Sequence, residues 1–191
     1  MSRPPQHTSL RHGTMAPMTT YVALLRAVNV GGAKVSMTAL REIALRQGWT
    51  NVSTYINSGN LLFDSLDGPI RAADLVSSGI EAAIDRHVAV VVRTPDQLAA
   101  TLERSRELFA HDDDKHVAIA FLDRPVQPAS LGQYDLERYV VDGAQVHLLY
   151  PTGLGNSKLT TPLIEKKLDA VATTRGRKTV MALVARASKQ A

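Results

Sequence analysis

The sequence predicts an α+β fold made of two packed α/β subdomains. Three observations predict it. Residues 18–94 alternate strand-sized apolar runs with helical periods in the order strand–helix–strand–strand–helix–strand, the split βαβ (βαββαβ) plan of ferredoxin-like domains. Tight-turn pairs, Ser58-Gly59 and Asp142-Gly143, join neighbouring strand candidates. Residues 95–191 repeat the alternation more loosely and end in helices.

The elements follow in order. Residues 1–17 carry three prolines and no hydrophobic period, so they read as a disordered tail, with Met15 and Met18 as alternative starts. Thr20–Val28 is an apolar strand running into Asn29-Val30-Gly31-Gly32, which must turn. Met37–Gln47 has apolar residues at helical spacing, Ser36 as N-cap and Gly48 to close. Asn51–Asn57 and Asn60–Asp64 form a hairpin, and Pro69–His87 is a longer helix. Val88–Arg93 is a strand ending at Thr94-Pro95, a cap followed by a proline suited to a first helical turn. In the second subdomain, Pro95–Arg104 is a helix and His116–Leu122 a strand. Arg138–Val141 and Ala144–Tyr150 form a hairpin, followed by helices over Pro162–Leu168 and Arg177–Ser188.

The 191 residues are 45% hydrophobic, 21% charged and 5% aromatic, without cysteine. That excludes disulfides, thiolate metal sites and thiol nucleophiles. The longest apolar runs are far too short to span a bilayer, and no apolar h-region stands near the N-terminus, so a cytoplasmic protein without a membrane partner is expected. The net charge of +4 is unevenly spread. Residues 18–155 hold twelve basic and sixteen acidic residues, whereas 156–191 hold eight basic residues against Glu165 and Asp169. A basic C-terminal segment attracts phosphates, although a solvated helix face has the same composition.

In the sheet order of the split βαβ plan, the end of the first strand lies beside the turn between the second and third. This brings Arg26, Asn29, Gly31 and Gly32 next to Asn57, Ser58, Gly59 and Asn60. Arg26 shares a strand face with Val22, Leu24 and Val28. A half-buried guanidinium needs a carboxylate, a phosphate or several carbonyls, so Arg26 either pairs with a structural acid or meets an anionic ligand. The glycines allow close backbone approach to such an anion. The segment Tyr150–Leu159, with Ser157 and Lys158 after two glycines, resembles a phosphate cradle but lacks P-loop spacing. Thr173-Thr174-Arg175 adds hydroxyls and a cation ahead of the last helix.

Other constellations carry less. His111–His116 has no metal-ligand spacing and holds a lysine, so no metal and no cofactor are expected. His147 alternates with Val146 and Leu148 and reads as a structural histidine. No nucleophile–histidine–acid order or carboxylate pair argues for hydrolytic catalysis. The third strand, NLLFD, offers Phe63 alone for stacking on bases, which argues against RNA recognition by this sheet.

The blocks LLRAVNVGG, TYINSGNLLF, GLGNSKL and TTRGRKTV resemble a bacterial family known as domain of unknown function 1697. The resemblance runs from about Thr19 to Val184 and implies a two-part α+β fold, but no activity. It implies recurring polar groups at Arg26, Asn29, Ser58, Gly59, Asn60, Ser157, Lys158, Thr174 and Arg175. Ala27 stands where the family usually has glycine, and Gly176-Arg177-Lys178 stands where it usually has Asn-Trp-Asn. The expected function is binding of a phosphate- or carboxylate-bearing small molecule by Arg26, Asn29, Ser58 and Asn60, closed over by Lys158 and Arg175. The alternatives are a nucleic-acid-binding module using residues 156–191 and a protein-interaction module.

Overall fold

A computed structural model describes residues 17–28, 34–56 and 59–190. Residues 1–16 of the tail expected over 1–17, and Asn29, Gly31, Gly32, Asn57 and Ser58 of the expected site, lie outside the described residues. The first half contains β1 (Thr19–Leu25), α1 (Met37–Arg46), β2 (Thr50–Thr54), β3 (Asn60–Ser65), α2 (Pro69–Ile84) and β4 (Val90–Arg93). The second contains α3 (Pro95–Leu108), β5 (Val117–Leu122), β6 (Arg138–Asp142), β7 (Gln145–Leu149), α4 (Thr161–Leu168), β8 (Ala172–Gly176) and α5 (Arg177–Ala187).

The α+β class holds, with two four-stranded antiparallel sheets ordered β2-β3-β1-β4 and β6-β7-β5-β8. The second sheet repeats the first, with β5 to β8 in the places of β1 to β4. Residues 123–137 pass without a helix where α1 stands in the first half.

Strand alternation assigns the layers. Tyr21, Ala23 and Leu25 face α1 and α2, packing with Leu40, Ile43, Val76 and Ile80. Val22 and Leu24 face the other way, into a layer where Leu98 and Leu102 of α3 and Val180 and Leu183 of α5 meet Ile119 and Phe121 of the second sheet. The outer face of that sheet is covered by Ile164 and Leu168 of α4 together with Leu131. Both faces of both sheets are therefore occupied. Phe63 is fully buried and stacks on Trp49 at 4.0 Å between ring centres. No helix among the described residues is long and apolar enough to cross a membrane.

Local chemistry sets the helix starts. Ser36 accepts the Ala39 N–H at 3.0 Å, and Thr94 and Gln97 form a reciprocal capping box ahead of α3.

Two departures from the sequence pattern shape the junction. The strand expected over 20–28 stops at Leu25, because Ala27 takes the left-handed conformation at φ 50°. That turn sends Val28 into the α1–α2 core, opposite Val22 and Leu24, so the expected shared face ends at Arg26. β8 is also a strand the apolar pattern does not signal: its buried positions include Thr173 and Arg175, which pair with Phe121 and Ile119 of β5. Smaller differences lie at element ends: the strand expected over 51–57 stops at Thr54, with Ile56 at φ 49°, and α3 continues to Leu108.

Gly59 closes the β2–β3 turn at φ +73°, with its ideal Cβ position 2.3 Å from Val28 Cγ2 and 2.8 Å from Leu25 Cβ. Both neighbours are buried core, so neither can swing away. Gly59→Ala is expected to lower the unfolding free energy by about 2–4 kcal/mol, read by urea titration. A loss below about 0.5 kcal/mol would show that this turn has room to relax.

Candidate functional site

Three guanidinium groups cross from one half of the molecule to the other, and they account for most of the polar chemistry at the junction. Arg26, just after β1, reaches α4 and forks onto Glu165, with Nε to Oε1 and Nη2 to Oε2 both 2.6 Å. Of the two partners left open for Arg26 by the sequence, the structure supplies the acid. Glu165 also accepts the Ala172 N–H at 2.9 Å, so the carboxylate is fixed by β8 as well. Hydrogen bonding to Glu165 raises the Arg26 pKa against the opposing effect of burial. Burial pushes the Glu165 carboxyl up, but Arg26 and the Ala172 N–H together hold it below its ordinary range.

Arg93, at the end of β4, donates from Nη2 to the carbonyls of Leu122 and Ala144 at 2.5 and 3.2 Å, and from Nη1 to Val92. Desolvation lowers its pKa, against the pull of the Asp123 charge. Arg175 of β8 crosses in the opposite direction. Its Nε donates to Asn60 Oδ1 at 2.7 Å and its Nη2 to the carbonyls of Leu25 and Gly59 at 2.9 and 3.1 Å. Its Nη1 binds the Thr173 hydroxyl and the Thr174 carbonyl. Burial alone pushes its pKa down to about 10.

The structure thus joins Gly59, Asn60 and Arg175 as the sequence suggests, but in the interior. Asn60 is fully buried, and its amide donates to the Tyr55 carbonyl. Thr174 shares a 2.7 Å hydroxyl contact with Thr161 at the start of α4. Ser157 donates to Glu137 and accepts the Leu159 N–H, while Lys158 is exposed and adds its charge near Glu137. No hydrogen bond or ion pair among the described residues ties Ser157 or Lys158 to Arg26 or Arg175. Arg177, which stands where the resemblance implies a tryptophan, is buried too. It pairs with Asp114 and takes the Ser105, Phe109 and Asp112 carbonyls, closing the C-terminal end of α3. Two of the eight basic residues in 156–191 are therefore interior, which thins any open basic face there.

Beside the Arg26–Glu165 pair lies a solvent-open cleft of about 570 Å³, walled by the α2–β4 turn of one half and by α4 and the turn after it of the other. Arg86 enters from the first half and Lys166 from the second, and besides Glu165 the lining carries Asp123, which accepts the Val171 N–H, and Asp169, which faces Arg124. Among the described residues neither Arg86 nor Lys166 has a carboxylate partner. The fork onto Glu165 uses Nε and Nη2 of Arg26, leaving Nη1 with no described acceptor, and the side chain stays 38% exposed. The pattern of sequence blocks does not single out Arg86, Arg93, Glu165 or Lys166. One signal did exist for Glu165: it is one of two acids in a basic segment, and a half-buried Arg26 needed a carboxylate.

The Arg26–Glu165 pair is expected to couple by about 1 kcal/mol in a double-mutant cycle of Arg26→Gln and Glu165→Gln, since it is bidentate but partly open to water. Additive single effects would show that the fork contributes nothing beyond its separate contacts.

Fold and junction define a class: a two-sheet α+β protein whose similar halves are stapled by arginines around a charged cleft. The chain belongs to the family DUF1697, described as protein of unknown function, which it matches over residues 18–148. That span includes LLRAVNVGG and TYINSGNLLF; GLGNSKL and TTRGRKTV lie beyond it. In fold it is similar to conserved bacterial protein SP0830 from Streptococcus pneumoniae, with a TM-score of 0.66 and 20% identity, covering 90% of this chain and 99% of that one. No curated protein matches the chain.

Proposed function

We propose that the junction cleft binds a small molecule bearing a carboxylate or a phosphate, at the β4 edge of the first sheet. The observation that carries this is the set of unspent donors: Arg86, Lys166 and the Nη1 group of Arg26, converging from both halves on one open cleft. Arg26 is the positioning element, because Glu165 fixes its plane while leaving one edge of the fork free. A site drawn from both halves ties ligand binding to the way they pack. Were a reaction to occur here, these groups suit stabilising developing negative charge rather than abstracting a proton.

Calorimetric titration with orthophosphate, sugar phosphates and N-acetylated amino acids tests the reading. At least one class should bind, and Arg86→Gln and Lys166→Gln should each weaken it about tenfold, corresponding to about 1.4 kcal/mol. Affinity unchanged in both variants would place the site elsewhere.

A further inference from the structure

The anion cleft does not end at Arg86. It shares His87, Ala89, Asp123 and Val171 with a second groove of about 510 Å³ that runs along β4. One wall of that groove is the flank of α2, where Ile70 is 79% exposed and Ala73 lies one turn further on. Its floor is the edge of β4, the terminal strand of the first sheet. The Arg26 N–H donates to the Ala89 carbonyl, and antiparallel pairs alternate, so Val91 and Arg93 turn their backbone groups toward β1. Val90 and Val92 therefore direct theirs into the groove. The Val92 carbonyl is taken by Arg93 Nη1, which leaves the Val90 N–H, the Val90 carbonyl and the Val92 N–H without a partner among the described residues. A row of open ladder groups beside an apolar wall is a template for another strand.

Resting on the anion site proposed above, we infer that its ligand is the C-terminal end of an extended peptide, which pairs antiparallel with β4 and sets its terminal carboxylate against Arg86 and Lys166. The cleft also holds Glu165, Asp123 and Asp169, but Glu165 is engaged by Arg26, Asp123 accepts the Val171 N–H and Asp169 faces Arg124, so Arg86 and Lys166, without a carboxylate partner among the described residues, set the occupant and its direction. β4 runs away from Arg86 toward Arg93, so an antiparallel strand finishes at the end of the trench that holds Arg86 and Lys166. A parallel strand would bring its ammonium group to Arg86 and Lys166 and leave both without an anion. The last peptide residues fill the cleft, and those before them add a fifth strand to the sheet, with apolar side chains against Ile70 and Ala73.

The probes are acetyl-Lys-Thr-Val-Thr-Ala-Val with a free C-terminus, the same peptide as its C-terminal amide, and acetyl-valine. Calorimetry on the full chain should show the free acid binding about tenfold tighter than acetyl-valine or better, since each added ladder bond contributes a few-fold. Amidation should lose about tenfold or more, and the free acid should slow hydrogen exchange at the Val90 and Val92 amides. Equal affinity for the hexapeptide and acetyl-valine, or unchanged exchange at both amides, overturns the peptide inference and leaves the anion site standing. If orthophosphate, sugar phosphates and acetyl-valine all fail to bind as well, both readings fall.

Discussion

Arg175→Ala is expected to lower the unfolding free energy by about 3 kcal/mol, a fall in Tm of roughly 6–12 °C for a chain of this size. The guanidinium is 7% exposed and makes its bonds to both halves, so its loss strands acceptors that water cannot reach. Asn60 Oδ1 would be left buried beside an empty volume the size of the missing side chain. Two effects oppose each other here. Burial disfavours the charge, which is why its pKa falls to about 10, while charge-assisted bonds to fixed carbonyls favour it. Arg175→Met separates them, since it fills much of the volume and removes the charge. It should recover part of the loss but not all. Arg175→Lys should fail to rescue, because one ammonium cannot reach Asn60, Leu25 and Gly59 from one position. A methionine variant as stable as the parent would mean that the bonds across the junction contribute nothing net.

Acidification is expected to destabilise the protein through His147 more than through any other histidine. His147 lies on β7 between Ile119 of β5 and Val140 of β6, with no exposed surface and no hydrogen bond to either ring nitrogen. Desolvation lowers its pKa from 6.5 to about 4, against the raising effect of Asp142 at 4.0 Å, which Arg104 offsets. The unfolded chain therefore binds a proton that the folded chain refuses between these two values. Stability is fully present above pH 6.5 and is lost as pH falls toward 4, by up to about 3 kcal/mol. His147→Leu keeps the volume and removes the proton site. The urea midpoint of the parent should fall further than that of the variant as pH drops from 7 to 4.5, whichever starts higher. Parallel pH curves would show that His147 takes up its proton alike in the folded and unfolded chains and carries no linkage.

Much of the first half was legible because its strands alternate cleanly. Tyr21, Ala23 and Leu25 on one face and Val22 and Leu24 on the other announce a sheet covered on both sides. Turn chemistry announces both hairpins but not their turn lengths: β2 stops at Thr54, with the Tyr55 N–H on the Asn60 carbonyl, and Asp142 pairs with Gln145 across Gly143-Ala144. β8 was not legible for the opposite reason. Its inward side chains are Thr173 and Arg175, polar groups satisfied by Leu25, Gly59 and Asn60 from the other half, and no local period carries that information. The site shows the same division. The sequence marks Arg26 as a guanidinium that must be paired and brings Asn60 and Gly59 near it. Whether its partner is a ligand or an acid depends on Glu165, which is 139 residues away in the chain. Arg175 likewise reads as an anion-binding cation until its burial is known. Arg86 and Lys166 carry no pattern at all, since each is an ordinary exposed cation until the halves pack.

The proposed site puts anion recognition in the junction cleft, outside the buried Arg175 cluster. Amide chemical-shift mapping during titration with the best-binding anion tests it most directly. The account predicts shifts concentrated at residues 86–89 and 166–171, with Leu25, Gly59, Asn60 and Thr173–Arg175 unmoved. Shifts centred on Asn60, Ser157, Lys158 and Arg175, with residues 86–89 silent, would contradict it.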